Sequence, residues 1–291
     1  MNQINLNIQY LKGLIDKFLH PVSFFGGFLF SPLQHFYRLT ISSEYRKLIQ
    51  YSFLLAYKKR YTDVSVKLNG QKILVPDASS FISMFEEIYY KKIYEIPHKN
   101  PRILDLGANI GMSLIWFKEN YPHSSILAFE ADPKIFSYLK LNTFDLSNVI
   151  IKNEAVWSED STLNFYSDGG DAGRVSNNVD FQEKTVSVPA KDIKSILKEH
   201  GPFDFIKMDI EGAESIVVPE CKGMLGSVKF FFCEYHSIKS DKQDLDAIIS
   251  FFKEEGFRVH IQPITFGEQP FMATPNKLGY DMQLNIFAYR E

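Results

Sequence analysis

From residue 102 onward, short apolar runs alternate with helical segments, and this alternation constrains the fold more than any other feature of the 291-residue chain. Runs at 102–106, 126–130, 149–152, 203–208, 229–234, 257–262 and 284–289 are too short for typical helices and rich in Ile, Leu, Val and Phe. Near-continuous apolar runs belong to strands buried on both faces, so the pattern predicts a parallel sheet with helices covering both sides, an α/β fold. Residues 162–167 and 184–188 read as an inserted β-ribbon around the glycine-rich loop SDGGDAGRVSNN (167–178). A long irregular segment with Pro263, Pro270 and Pro275 precedes the final run and is a candidate substrate loop.

Upstream, Ile4, Ile8, Leu11, Ile15 and Phe18 recur at helical spacing, as do Tyr45, Leu48, Ile49 and Phe53. Residues 1–61 are therefore expected to form a helical N-terminal appendage. The main domain, 62–291, opens with a hairpin built from Val64, Val66 and Leu68, a turn at Asn69-Gly70, and Ile73 and Val75, followed by a helix over 79–90. The net charge of −3 argues against a general nucleic-acid binder. That average hides a split: residues 1–60 carry +6 and the remainder −9. The basic end is rich in Phe and Tyr, and its most apolar run, VSFFGGFLFS (22–31), is ten residues long, short of the roughly 20 that span a bilayer. It also lacks the layout of a cleavable signal. A helical cap on the domain, a homodimer contact and a peripheral anionic membrane surface are the roles open to this segment. The two cysteines, Cys221 and Cys233, have no disulfide-framework or zinc-site spacing, which fits a reducing, cytoplasmic setting.

The strongest local motif is ILDLGANIG (103–111), a strand ending near a carboxylate, a loop with Gly107 and Gly111, and a helix starting near Met112. Glycines admit close backbone approach, and free N–H groups at a helix start favour a carboxylate or phosphate. Nineteen residues after Gly111 the next strand ends at Glu130, where a carboxylate suits both hydroxyls of a ribose. Asn109 replaces the second glycine of a dinucleotide loop, so D-x-G-x-x-x-G points to S-adenosylmethionine rather than NAD. In that arrangement Asp105 and the loop backbone (Gly107, Ala108, Asn109, Gly111) hold the amino-acid end of the cofactor, and Glu130 holds the ribose.

LDLGANIG, FEADP (129–133), NEAVW (153–157), FDFIKMDIEGAE (203–214) and CEYH (233–236), in this order and spacing, resemble the FkbM family of S-adenosylmethionine-dependent methyltransferases over roughly residues 62–290. The resemblance implies a class I methyltransferase fold, Rossmann-like, with seven strands of which the last is antiparallel. It implies methyl transfer to a hydroxyl oxygen of a sugar, polyketide or other metabolite. It also places Asn153, Glu154 and Ala155 beside the adenine, with Val156 and Trp157 equally readable as core.

A hydroxyl acceptor must lose its proton, and a base at the carboxyl edge of the sheet supplies that step. KMDIEGAE puts Asp209 at the end of the fourth strand and Glu211 and Glu214 at the start of the next helix, with Lys207 sharing a strand face with Asp209. In CEYH, Glu234 and His236 alternate onto one side of the fifth strand. His236 is the first candidate base, because its unperturbed pKa lies nearest cellular pH, with Asp209 or Glu211 second. No metal is assigned, although Asp209, Glu211 and Glu234 offer oxygen ligands of the kind Mg²⁺ takes. Where base-amino methylases carry a polar residue, two prolines and an aromatic, this chain has MDIEG, which disfavours nucleobases; a glycan or small-molecule hydroxyl as acceptor is what the resemblance implies. The loop with Asp168, Gly169, Gly170, Asp171, Gly173 and Arg174 reads either as a sugar contact or as an ordinary solvent loop. Two other functions compete: a non-catalytic scaffold, and an NAD-dependent sugar oxidoreductase. The second would draw on the Tyr235–Lys239 spacing, which begins on a strand rather than along a helix.

Overall fold

The computed structural model describes residues 27–166, 174–175, 185–264 and 279–291. The helical spacing at 4–18, most of the 167–178 loop, and Pro270 and Pro275 lie outside the described residues. The chain divides into two compact units, one of Met1–Val64 with Asp77–Ile93 and the other of Ser65–Pro76 with Tyr94–Glu291.

In the first unit, α1 (Gly27–Ile41) and α2 (Ser43–Leu55) are separated at Ser42, whose hydroxyl accepts from the Tyr45 N–H at 3.0 Å and caps α2. After the hairpin strands β1 (Val64–Leu68) and β2 (Gln71–Val75), α3 (Ala78–Phe85) passes into a single π-helical turn, Glu86–Tyr90. Asp77 caps α3 through Ser80 and also binds Arg60 Nε at 2.9 Å and the Tyr61 N–H at 3.0 Å. Tyr51 meets Phe81 and Phe85 edge-on, and Phe85 stacks on Tyr89 with ring centroids 5.0 Å apart. Tyr45 and Tyr51 are therefore core, whereas Phe36, Tyr37, Phe53, Tyr57 and Tyr61 are exposed.

The second unit continues with β3 (Arg102–Leu106), α4 (Met112–Asn120), β4 (Ser125–Phe129), α5 (Pro133–Asn142) and β5 (Val149–Lys152). A ribbon follows, made of β6 (Ala155–Trp157), β7 (Ser161–Tyr166), β8 (Arg174–Val175) and β9 (Thr185–Asp192), in the order β6-β9-β7-β8. Then come α6 (Ile193–His200), β10 (Phe205–Met208), α7 (Glu214–Glu220), β11 (Phe230–Ile238), α8 (Leu245–Glu254), β12 (Arg258–Pro263) and β13 (Tyr280–Tyr289). The main sheet has seven strands in the order β12-β13-β11-β10-β3-β4-β5. Strands β11, β10, β3, β4 and β5 are parallel, and β13 runs antiparallel to both β11 and β12. This is the class I arrangement expected from the sequence. Apart from Arg102 and Ser125 at their first positions, β3, β4 and β10 are buried along their whole length, as two covered faces require.

Two boundaries differ from the sequence expectation for one reason. β11 does not end near 234 but runs to Ile238, and β13 begins at Tyr280 rather than 284, because the two pair antiparallel from Phe230↔Tyr289 to Ile238↔Tyr280. CEYH therefore lies inside a strand, not at its end.

One sheet face carries a row of rings. Phe205, Phe232 and Phe287 stand on β10, β11 and β13, with Tyr94 and Phe117 packed over them at centroid separations of 5.0–5.6 Å for the pairs Tyr94–Phe117, Tyr94–Phe232, Phe117–Phe205 and Phe232–Phe287. Tyr94, Phe117, Phe205 and Phe232 are buried, each contributing about 1.5–3 kcal/mol by leaving water, and Phe287 is half-buried beside them. The hairpin is tied to α5 and to the loop after β3 by Asn142 of α5. Its carboxamide accepts from the Leu74 N–H at 2.8 Å and donates to the carbonyls of Leu74 and Ile110, both at 2.9 Å. Replacement of this buried side chain (N142A) strands those groups and is expected to lower stability by about 1–3 kcal/mol; an unchanged urea midpoint would contradict the role given to it.

Candidate active site

β3 and β10 are neighbours, yet the chain leaves β3 towards β4 and leaves β10 towards β11. Their carboxyl ends form the switch point at which open α/β sheets bind ligands. Here Gly107, at φ +87°, lies so close to β10 that a Cβ would sit 1.8 Å from the Asp209 carbonyl oxygen. Only glycine lets the loop turn at this point.

The loop does not present free N–H groups, as its sequence had led us to expect. The Gly107 and Ala108 N–H groups both donate to the Phe129 carbonyl, at 3.0 and 2.9 Å, and that of Asn109 donates to Glu130 Oε2 at 2.8 Å. Those of Ile110 and Gly111 are taken by Asn109 Oδ1 and the Ala108 carbonyl. The physical reason is that the donors are spent on pinning the end of β4 to the loop, which places the Glu130 carboxylate. Gly111 (φ +90°) lies at the start of α4, where a Cβ would meet Thr143 and Leu139 of the α5 end. Asp105, Ala108 and Gly111 thus stand behind the loop, while Gly107 and Asn109 face the cavity.

That cavity is a cleft open to solvent. Glu130, Glu154 and Ala155 line one side, Asp209 and Glu211 another, and Phe165 of the β-ribbon closes over it. Val156 lines it too and belongs to the main core, against which Trp157 packs. Glu130 Oε1 accepts from the Asp132 N–H at 2.9 Å, so each carboxylate oxygen holds one N–H and keeps a lone pair. Burial raises the Glu130 pKa to about 7 against the pull of those two donors. Asn153, expected near the adenine, uses its amide NH₂ to bind the Glu130 and Ala131 carbonyls at 2.8 and 3.1 Å.

Beyond the row of rings, the same sheet face turns ionic. Lys207 Nζ lies 3.3 Å from Asp105 Oδ1 and 3.4 Å from Asp209 Oδ2, and donates to the Gly107 carbonyl at 2.5 Å. Burial opposes its charge, but Asp105 and Asp209 raise its pKa, so it is a buried ammonium. Ser113 donates to the other Asp105 oxygen at 2.5 Å. Glu234 and His236 stand on the same face of β11, with Glu234 Oε1 3.6 Å from His236 Nε2. Glu211, at φ +56° in the turn before α7, brings Oε2 to 3.5 Å from that nitrogen and accepts from the Tyr280 hydroxyl at 2.8 Å.

His236 is held by its other nitrogen. Nδ1 lies 3.2 Å from Glu214 Oε1, and Glu214 also accepts the N–H groups of Ile210 and Gly212, both at 3.0 Å. A carboxylate accepts only, so Nδ1 carries the proton and Nε2 faces Glu211, Glu234 and the Gln283 carboxamide, whose nitrogen is 3.0 Å away. Burial and then Asp209 raise the Glu234 pKa. Burial pushes Glu211 well above the usual range despite the pull of His236. Burial opposes charge on His236 itself, yet Glu211 and Glu214 hold its pKa well above the ordinary value. The cluster, five carboxyls against two cations, retains protons that isolated side chains would release.

The structure therefore brings together all four candidate catalytic residues, His236, Asp209, Glu211 and Glu234, with Asp209 and Glu211 at the cavity and His236 and Glu234 buried behind them. Sequence reasoning named Glu214 among the charges but gave it no role, because a carboxylate at a helix start also reads as a cap. It missed Gln283 and Tyr280, which arrive from β13 by long-range pairing and carry no local signal. Asp209, Glu234 and His236 offer ligand atoms within 4.8 Å of one another, but a second cation there meets the Lys207 ammonium beside Asp209.

The methyltransferase FkbM domain profile matches residues 105–259. Among curated relatives, the methyltransferase sdnD of Sordaria araneosa is 39% identical over 61 residues, 20% of this chain and 24% of its own length. The 2-O-methyltransferase NoeI of Sinorhizobium fredii is 25% identical over 154 residues, 47% of this chain and 63% of its own. The matches thus span less than two thirds of either relative. A solved structure described as methyltransferase FkbM from Methylobacillus flagellatus is similar at 14% identity and a TM-score of 0.45, over 72% of this chain and 53% of that one.

Because the Asp209 carbonyl fills the space beside Gly107, the substitution G107A forces β3 and β10 apart. It is expected to lower stability by about 1–3 kcal/mol, read as a shift in urea midpoint; a midpoint equal to that of the parent would mean that the close approach has no structural weight.

Proposed function

The chain belongs to the FkbM family of S-adenosylmethionine-dependent methyltransferases, and we propose that it transfers methyl to a hydroxyl oxygen of a sugar, glycan or glycosylated metabolite. The observation that carries this is the buried Glu214–His236 pair, which leaves one imidazole nitrogen, Nε2, among carboxylates at the carboxyl edge of the sheet. A hydroxyl is too weak an acid to give up its proton unaided at neutral pH, whereas an oriented imidazole accepts it and an anionic partner stabilises the imidazolium formed. The 2-O-methyltransferase activity named for NoeI supports oxygen as the acceptor atom.

The residues present fit the cofactor. Asp209 Oδ1 is buried without a hydrogen-bond partner, and the cavity is lined by Glu130, Glu154, Asp209 and Glu211, a donor set suited to a cation. When bound, S-adenosylmethionine supplies a methyl electrophile on a positively charged sulfur. Glu130 keeps a free lone pair on each oxygen for a diol, Gly107 admits close approach, and Phe165 and Val156 offer apolar walls. His236 takes the acceptor proton at Nε2 by way of Glu211, whose carboxyl lines the cavity 3.5 Å from that nitrogen, while Glu214 holds Nδ1–H and Glu234 steadies the charge that results. Free, buried Cys221 and Cys233 support a reducing compartment.

Two tests follow from the proton inventory. Ribose hydroxyls donate best to an ionised Glu130, so affinity for S-adenosylhomocysteine should rise about tenfold between roughly pH 6 and 8, and E130Q should flatten the dependence, read by calorimetry. His236 must be unprotonated to act, so turnover should climb with pH through its raised pKa, and E211Q, by removing one cause of that rise, should move the climb to lower pH. With sugar acceptors and mass spectrometry as the assay, H236N should lower kcat by roughly 10²–10⁴-fold while S-adenosylhomocysteine binding persists. Normal turnover in that variant would remove His236 as the base, and cofactor binding without turnover on any acceptor would favour a scaffold.

A further inference from the structure

Seven of the fourteen large apolar side chains exposed among the described residues fall between Phe36 and Tyr61: Phe36, Tyr37, Ile41, Phe53, Leu54, Tyr57 and Tyr61. Along α2 the division between faces is clean. Tyr45, Leu48, Tyr51 and Leu55 are buried, while Arg46, Gln50, Phe53 and Leu54 face outward, with Phe53 and Leu54 72% and 64% exposed. Just past the helix, Tyr57 (75% exposed) and Tyr61 bracket the run Lys58-Lys59-Arg60.

We propose that the outer face of α2 and the following Tyr57–Tyr61 turn form a docking surface for an anionic lipid bilayer. Solvent exposure of Phe53, Leu54 and Tyr57 together is costly in water but favourable at a headgroup boundary, where rings sit at the interface and aliphatic side chains reach the acyl region. Lys58 and Lys59 supply charge complementary to anionic headgroups, about 1 kcal/mol for each basic residue near the surface. Leu54 and Ile41 disfavour nucleic acid, which offers aliphatic side chains no apolar phase. Among the described residues no helix is long and apolar enough to cross a membrane, so the contact is peripheral. This surface is independent of the acceptor chemistry, and its test needs no turnover.

The experiment is flotation of the full chain with phosphatidylcholine vesicles, with and without phosphatidylglycerol. Binding is expected only to the anionic vesicles and should weaken as salt rises. The exposed double substitutions K58E/K59E and F53S/Y57S should each reduce it at least about tenfold while circular dichroism and S-adenosylhomocysteine affinity stay at parental values. Failure to float, equal binding to neutral vesicles, or unchanged binding by both variants would overturn the proposal. So would a dimer by light scattering that F53S/Y57S dissociates, or capture on single-stranded RNA without vesicle binding.

Discussion

A single buried ammonium sets the geometry of the carboxyl edge. Lys207 reaches across from β10 to Asp105 of β3, holds Asp209 beyond it, and binds the Gly107 carbonyl. Removing one member of such a buried set costs about 3–5 kcal/mol, because the charge left behind has no water to turn to. The loop at residues 107–111 is consequently held on both sides, its Gly107 carbonyl by the lysine and the N–H groups of Gly107, Ala108 and Asn109 by the end of β4. The position of Glu130 and the near-contact of Gly107 with Asp209 both follow from this double attachment.

The ionic cluster owes its behaviour to what lies beneath it. Phe205, Phe232 and Phe287 keep water from the lower half of the same sheet face, so the charges above interact in a medium that screens weakly. Weak screening is why Glu211, Glu234 and His236 hold their protons more tightly than isolated side chains do. It also makes the arrangement responsive, since any charge entering the cavity shifts the whole set of protons at once.

What was legible in the sequence was what local periodicity encodes. The order of strands and helices followed from apolar runs and the glycine punctuation at 107 and 111. Period-two alternation correctly paired Lys207 with carboxylates and put Glu234 beside His236. Less legible was anything decided by partners distant in the chain. Nothing near Gln283 or Tyr280 announces that β13 delivers them to His236, and the length of β11 depends on that same pairing. The loop N–H groups looked available because their acceptor, the Phe129 carbonyl, is a backbone atom on the next strand and leaves no trace in residue identity. Glu214 was visible as a charge, but its hold on His236 depends on the turn between β10 and α7 folding against the far half of β11.

The position of β13 has a consequence for biosynthesis. It is translated after β12 yet lies between β11 and β12, so β12 has no neighbour in the sheet until β13 is in place. A nascent chain that has emerged only through β12 leaves the long edge of β11 unpaired, with Glu234 and His236 lacking the Gln283 and Tyr280 side chains that later surround them. The surroundings of His236 are thereby completed only once translation has carried through β13, and a product interrupted before that point is left with an open strand edge, the feature that makes partly folded chains prone to aggregation.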